Sequence, residues 1–104
     1  MRNAKIELLE ALENKAVLKC AKIIISKTWN AKGIKEYKLK LNYNKRDLED
    51  FLKSIDFEYD NGYGGQELFG TLWLEDGTWL SRDEYDGSEW WEHNILPEIT
   101  KDLT

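Results

Sequence analysis

The sequence predicts an α+β fold in which an antiparallel sheet packs against two amphipathic helices. Two segments carry apolar side chains at helical spacing, and several others alternate apolar and polar residues as half-buried strands do. Two Asp-Gly pairs, Asp76-Gly77 and Asp86-Gly87, separate the last three strand-like runs, and this pair is typical of tight β-hairpin turns. We therefore expect an N-terminal hairpin and a C-terminal three-stranded meander in one domain spanning residues 1–104.

The N-terminal half is predicted to hold one helix and one hairpin. The helix covers residues 3–13, where apolar and charged side chains separate onto two sides. A β-type run follows over residues 16–29, and a turn at residues 30–33 ends with Gly33, which can adopt a positive φ. Residues 35–43 alternate strictly, which predicts a strand with one buried and one solvated face.

The second helix is predicted over residues 45–55. Asn44 supplies the N-cap and Asp47 the acidic third helical position. The apolar stripe recurs at i, i+3, i+4 and i+7, at Leu48, Phe51, Leu52 and Ile55. A short strand at residues 56–59 and a glycine-rich turn at residues 61–65 lead into the meander, with strands at 67–75, 78–85 and 88–94.

Two-residue turns at both Asp-Gly pairs would set the register of the meander. They place Thr71 opposite Arg82, Arg82 opposite Trp91 and Asp83 opposite Trp90. The expected core face then comprises Leu68, Leu72, Leu74, Trp79, Tyr85 and Trp90. The other face comprises Phe69, Thr71, Trp73, Leu80, Arg82, Trp91 and His93, edged by Glu75, Glu84 and Glu89.

That second face has two interpretations. Aromatic and arginine anchors inside a polar rim are typical of a protein interface. Alternatively, the first helix or the 61–66 loop packs over it, because a small domain needs its aromatic residues inside. Arg82 against Trp91 can also be a local cation–π pair that holds two strands together.

Charge is divided unevenly along the chain, whose formal net charge is −5. Residues 1–46 hold 12 lysines and arginines and four carboxylates, whereas residues 47–98 hold two and 15. Such asymmetry concerns partners more than fold. No apolar run approaches the roughly 20 residues of a membrane-spanning helix, and the single cysteine agrees with a reducing compartment. We expect a cytoplasmic protein without a membrane partner.

The residues offer little support for chemistry. A Cys20–His93 dyad has nothing in the sequence to bring its members together. Carboxylates at residues 56, 58, 60 and 67 follow the spacing of a calcium loop, but Gly62 is one position late and a strand follows instead of a helix. We expect no enzyme activity, cofactor, metal or small-molecule substrate.

The basic and acidic halves of the chain favour different kinds of partner. Lysines of the first half, such as Lys38 and Lys40, can bind phosphates, but the acidic half would repel a polyanion. The same carboxylates can instead occupy a phosphate-binding groove on a basic protein. The sequence favours the protein partner.

The C-terminal stretch carries a resemblance. Its pieces Asp-Gly-Thr-Trp at residues 76–79 and Tyr-Asp-Gly-Ser-Glu-Trp-Trp at residues 85–91 resemble a tail of short bacterial and prophage proteins. The likeness covers about a third of the chain and implies no activity. By class, small acidic proteins of mobile elements are similar to phage inhibitors of host defence, including anti-CRISPR proteins.

The sequence thus predicts a non-enzymatic inhibitor that binds a basic host protein or nucleoprotein complex that handles nucleic acid. An immunity or antitoxin-like protein that neutralises a toxin enzyme is the alternative, followed by a small nucleic-acid-binding or calcium-binding domain. A homodimer that buries the aromatic face is also open. The predicted contact residues are Trp73, Arg82 and Trp91 as anchors and Glu75, Asp76, Glu84, Asp86 and Glu89 as the charged rim.

Overall fold

A computed structural model describes residues 2–13, 16–26, 34–59, 66–85 and 88–103. The predicted turns at residues 30–33, 61–65 and 86–87 lie outside these ranges. In chain order the elements are β1 (Arg2–Asn3), α1 (Ala4–Leu12), β2 (Leu18–Ile25), β3 (Lys35–Leu39), α2 (Lys45–Ser54), β4 (Glu58–Tyr59), β5 (Leu68–Leu74), β6 (Trp79–Tyr85), β7 (Ser88–Asn94) and a 3₁₀ turn (Lys101–Leu103). The α+β class is confirmed.

One antiparallel sheet contains both the N-terminal hairpin and the meander. Its strand order is β3-β2-β5-β6-β7, and β1 pairs separately with β4. Strand β2 joins the two parts by pairing with β5 from Leu18↔Leu74 to Ile25↔Leu68. An irregularity between Leu18 and Cys20 shifts this register by one residue, so that Leu18 and the later Ala21, Ile23 and Ile25 are all buried.

Both helices begin at asparagine caps. The Asn3 side chain accepts a hydrogen bond from the Ile6 N–H at the start of α1. At α2 the Asn44 side chain accepts from the Asp47 N–H while the Asp47 carboxylate accepts from the Asn44 N–H, which satisfies two backbone donors that the helix itself leaves free. The predictions of both helices are confirmed to within one residue at each end.

The helices pack on one face of the sheet, which we call the inner face. Leu8 and Leu12 of α1 and Phe51 of α2 share one apolar core with strand residues. The strand contribution comprises Leu18, Ala21, Ile23, Ile25, Leu39, Tyr59, Leu68, Leu72, Leu74 and Leu80. The opposite face, which we call the outer face, is covered by neither of these helices.

Strand β3 is shorter than predicted. It ends at Leu39, and the chain turns at Leu41 and Asn42 instead of continuing to Tyr43. Asn42 takes a positive φ of 61°, a conformation that asparagine tolerates better than most residues. The Tyr43 hydroxyl then donates to the Leu18 carbonyl at 2.6 Å, and Leu41 is left exposed.

The first turn of the meander differs from the prediction. Trp73 pairs with Trp79, and the Leu74 N–H donates to the Thr78 carbonyl. Three residues, Glu75, Asp76 and Gly77, therefore lie between this last pair. The Gly77 N–H donates to the Leu74 carbonyl and Gly77 has φ +87°, the pattern of a type I turn followed by a left-handed glycine. Thr71 therefore faces Ser81, and the predicted Thr71–Arg82 pairing is wrong.

This one-residue difference reverses the faces of β6 and β7. The second predicted register is confirmed, since Arg82 pairs with Trp91, Asp83 with Trp90 and Tyr85 with Ser88. Because β6 and β7 keep their predicted pairing, the side chains of both strands lie on the faces opposite to those predicted. Leu80, Arg82, Glu89 and Trp91 point to the inner face, whereas the outer face receives Trp79, Asp83, Tyr85 and Trp90.

Within the described ranges, neither helix has the length and apolar character needed to cross a membrane.

Candidate functional site

Arg82 and Glu89, predicted as surface contacts, are buried. The Arg82 side chain exposes 1% of its surface and the Glu89 side chain none, and Arg82 Nη2 lies 2.7 Å from Glu89 Oε1. This difference from the prediction follows from the three-residue turn, which directs the side chains of Arg82 and Glu89 toward the helices. Neither residue is available as a surface anchor or rim charge.

Arg82 is the centre of a buried polar cluster. Its Nη1 donates to Glu7 of α1 at 3.1 Å and its Nη2 donates to the Tyr59 hydroxyl at 2.9 Å. The Tyr59 hydroxyl in turn donates to Glu7. Glu89 also accepts from the backbone N–H groups of Glu67 and Leu68 at 2.9 and 3.1 Å. One arginine thereby connects α1, β4, β5, β6 and β7.

The environment of this cluster shifts two pKa values. Burial raises the pKa of Tyr59 well above its usual range, and its hydrogen bond to Glu7 raises it further. Burial alone would lower the pKa of Arg82, but the hydrogen bond to Glu89 and the charge of Glu7 outweigh that effect and raise it. The cluster thus holds a charged arginine between two carboxylates, with a neutral tyrosine beside them.

Trp91 belongs to the same cluster. The Arg82 guanidinium carbon lies 4.9 Å from the centre of a Trp91 ring, which is within cation–π range. The Trp91 side chain is half-buried and packs against the core. Its placement agrees with the interpretation of Arg82 and Trp91 as a local pair that holds adjacent strands together, and Trp91 is not an exposed anchor.

The remaining predicted contact residues are divided. Trp73 lies on the outer face and is 43% exposed. Glu75 and Asp76 are exposed on the first turn, and Glu84 is exposed near the end of β6. Asp86 lies outside the described residues. The structure therefore does not assemble the eight predicted residues on one surface.

The outer face carries a different set of aromatic residues. Phe69 and Trp73 alternate along the central strand β5, and they are 38% and 43% exposed. Trp79 and Tyr85 of β6 and Trp90 of β7 lie on the same face, with Tyr85 77% and Trp90 37% exposed. Five aromatic side chains over three adjacent strands form an apolar surface of the kind that marks binding sites.

Charge is graded across this face. Lys22 of β2 and Lys38 of β3 lie at one side, where both form ion pairs with Glu36 at 3.1 and 3.4 Å. The hydrogen bond from Lys22, reinforced by Lys38, lowers the pKa of Glu36. Asp83 and Glu92, on β6 and β7, lie at the other side. Glu36 balances one of the two lysines, so the outer face carries a net positive charge on its β3–β2 side and a negative charge on its β6–β7 side.

Trp79, Tyr85 and Trp90 were predicted to lie in the core but lie on the outer face, where Tyr85 and Trp90 are exposed. One sequence signal indicates the correct face. Leu80 is the only aliphatic residue of β6, and a register that sets it beside Leu72 buries it with the other leucines. Asp-Gly fits both a two-residue turn and the end of a three-residue turn, so the turn sequence alone did not decide.

The residues considered for chemistry are dispersed. Cys20 pairs with Trp73 on the outer face, whereas His93 pairs with Leu80 on the inner face, so the two do not meet. His93 Nε2 lies 2.8 Å from the Thr78 hydroxyl, which donates to Asp76 at 2.5 Å. The hydrogen bond from the Thr78 hydroxyl, and after it the one from the Thr78 N–H, lower the pKa of Asp76. His93 therefore forms a hydrogen bond that stabilises the first turn of the meander.

No group of three or more metal-ligating side chains was found among the described residues. Asp60 of the expected calcium loop lies outside them. No protein-family model, curated protein or solved structure matches the chain. The resemblance of the C-terminal stretch to bacterial and prophage proteins stays a prediction.

Proposed function

We propose that this protein acts by binding another protein through the outer face of its sheet. The observation that supports the proposal is the exposure of Phe69, Trp73 and Trp90 on a face that neither helix covers. Aromatic residues in the middle of a surface and charges around it are the composition of protein interfaces. Catalysis plays no part in this proposal.

The two faces of the sheet explain why these aromatic side chains are available for binding. The inner face already buries an apolar core of both helices and four of the strands. The fold therefore does not need the outer aromatic residues for its own core, and their exposure has a cost in water that a partner would remove. A binding role accounts for that exposure.

The inhibitor role predicted from sequence is a narrower form of this proposal. Asp83 and Glu92 are exposed on the β6–β7 side of the outer face, and their negative charge would attract a basic surface. A host protein that handles nucleic acid has such a surface. Of the charges first assigned to this role, Glu89 is buried and Asp86 lies outside the described residues.

The test is co-purification of the tagged chain from cells of its native source, followed by titration of the identified partner. We expect Trp73→Ala combined with Trp90→Ala to abolish binding. Ile6→Ala is the matched control, because Ile6 is an exposed apolar residue of α1, far from the outer face in the fold. A double variant that stays folded and binds with unchanged affinity would refute the proposal.

A further inference from the structure

We infer that the occupant of the outer face is a second copy of this chain. The two copies are related by a two-fold axis that lies between their sheets and is parallel to the central strand β5. The inference rests on the proposed function and names the partner of that same surface. It is carried by the order of charges across the sheet and by the position of the aromatic residues within it.

The strand pairings define one row of outer-face residues across the whole sheet. Lys38 pairs with Lys22, Lys22 with Thr71, Thr71 with Ser81, and Ser81 with Glu92. The row therefore begins with two lysines on β3 and β2 and ends with a carboxylate on β7. Both lysines also form ion pairs with Glu36 of β3, which leaves that side of the face with a net charge of one positive unit. Its centre is the uncharged Thr71 on β5, the middle strand of five.

A two-fold axis along β5 matches this row to itself. It sets β3 of one copy over β7 of the other, so Lys38 faces Glu92 of the second copy, and the same contact occurs twice in the dimer. A two-fold axis across the strands would instead set β3 over β3 and β7 over β7. Lys38 would then face its own equivalent and Glu92 its own, which like-charge repulsion disfavours.

The aromatic residues fit the same arrangement. Phe69 and Trp73 lie on β5 itself, next to the axis, where interface hot spots concentrate. The charged pairs fall at the two outer edges and form a rim. Aligned sheets pack about 10 Å apart, a separation that the long side chains of Lys38 and Glu92 can bridge from opposite sides.

The size of the face is sufficient for a stable contact. Five strands about 4.8 Å apart and seven residues at about 3.3 Å each give a face of roughly 24 by 23 Å. The flat area of such a face is about 550 Å². Projecting side chains increase the accessible area toward the roughly 800 Å² that each partner buries in a standard protein interface.

The experiment is sedimentation velocity of the full chain and of two charge-reversal variants, alone and mixed. Lys38→Glu alone places carboxylates opposite each other at both edges of the dimer, and Glu92→Lys alone places ammonium groups there. We expect each variant to weaken dimerisation at least about tenfold. An equal mixture restores both contacts in a heterodimer and should recover association to within about threefold of the wild type.

Glu49→Lys is the matched control, since it makes the same charge change on the exposed side of α2 and should leave dimerisation unchanged. A circular dichroism spectrum of each variant checks its folding. Mixing that restores nothing while each variant alone is monomeric overturns the register, and dimers that persist in every variant overturn the surface.

A wild-type chain that is monomeric at every concentration overturns the inference. If that monomer binds a foreign protein and loses it on Trp73→Ala, the occupant is the foreign protein and the proposed function stands. If the monomer binds a foreign protein with Trp73→Ala and Trp90→Ala unchanged, the proposed function fails as well.

Discussion

Arg82 Nη2 lies 2.7 Å from Glu89 Oε1, and both side chains are removed from water. The pair is part of a cluster in which Arg82 also donates to Glu7 and Tyr59. Buried charges are costly unless they are paired and hydrogen-bonded. The cluster is therefore a structural connection between the helix layer and the meander.

Removal of the Arg82 charge should destabilise the fold strongly. Arg82→Met leaves Glu7 and Glu89 buried without their common cation, and we expect a loss of about 3–5 kcal/mol in the free energy of unfolding. Arg46→Met is the matched control, because Arg46 is an exposed residue of α2 and its replacement should cost less than about 1 kcal/mol. Urea unfolding measures both values, and equal losses would contradict the assigned role of Arg82.

Tyr59 should make the stability depend on pH in the alkaline range. Burial raises the pKa of Tyr59 above its ordinary value of 10.0, so the folded state holds this proton more tightly than the unfolded state. The contribution is fully present below pH 10 and is lost as pH rises from there toward the folded pKa. The expected slope is about −1.4 kcal/mol per pH unit for this one proton.

Tyr59→Phe removes that group and keeps the ring. We expect the variant to be less stable than the wild type at pH 8, because Glu7 and Arg82 each lose a hydrogen-bonding partner. The difference should shrink as pH rises above 10. The contributions of groups common to both proteins cancel in the comparison. Parallel stability curves from pH 8 to 11 would refute the assignment.

Two glycines should respond differently to the same substitution. Gly70 lies in β5, and a Cβ added to it would lie 2.3 Å from the Lys22 carbonyl oxygen of β2. Both glycines have a positive φ, +153° at Gly70 and +87° at Gly77, but Gly77 has open space around it. We expect Gly70→Ala to cost about 3 kcal/mol by forcing two paired strands apart and Gly77→Ala about 1 kcal/mol from backbone strain alone. Thermal unfolding of both variants checks the order, and the reverse order would contradict the β2–β5 pairing.

Local signals predicted part of this fold well. The capping box at Asn44 and the apolar stripe of α2 both lie within the helix that they specify, so the sequence around them was sufficient. The two-residue spacing between Tyr85 and Ser88 likewise predicted the β6–β7 register. These features depend on neighbours in the chain.

The composition of each sheet face depends on features that residues adjacent in the sequence do not determine. The turn at Gly77 has one residue more than predicted, and this moved every side chain of β6 and β7 to the opposite face. The partners of Arg82 include Glu7, 75 residues away, which no local pattern connects with it. The prediction that an aromatic sheet face serves as an interface is retained, but it now concerns the face with Trp79 and Trp90.

The most direct test compares Trp73→Ala with Trp91→Ala, since both tryptophans were predicted anchors and the structure separates them. For Trp73→Ala we expect a stability change below about 1 kcal/mol and loss of the complex that the wild-type chain forms, self-association included. For Trp91→Ala, which uncovers Arg82, we expect a stability loss of about 2 kcal/mol or more.

The deciding measurement is the dissociation constant of that complex for folded Trp73→Ala protein. We expect this dissociation constant to rise at least about 30-fold, as for the loss of a central aromatic anchor that contributes about 2 kcal/mol. A dissociation constant equal to that of the wild type would contradict the assignment of the outer face as the binding surface.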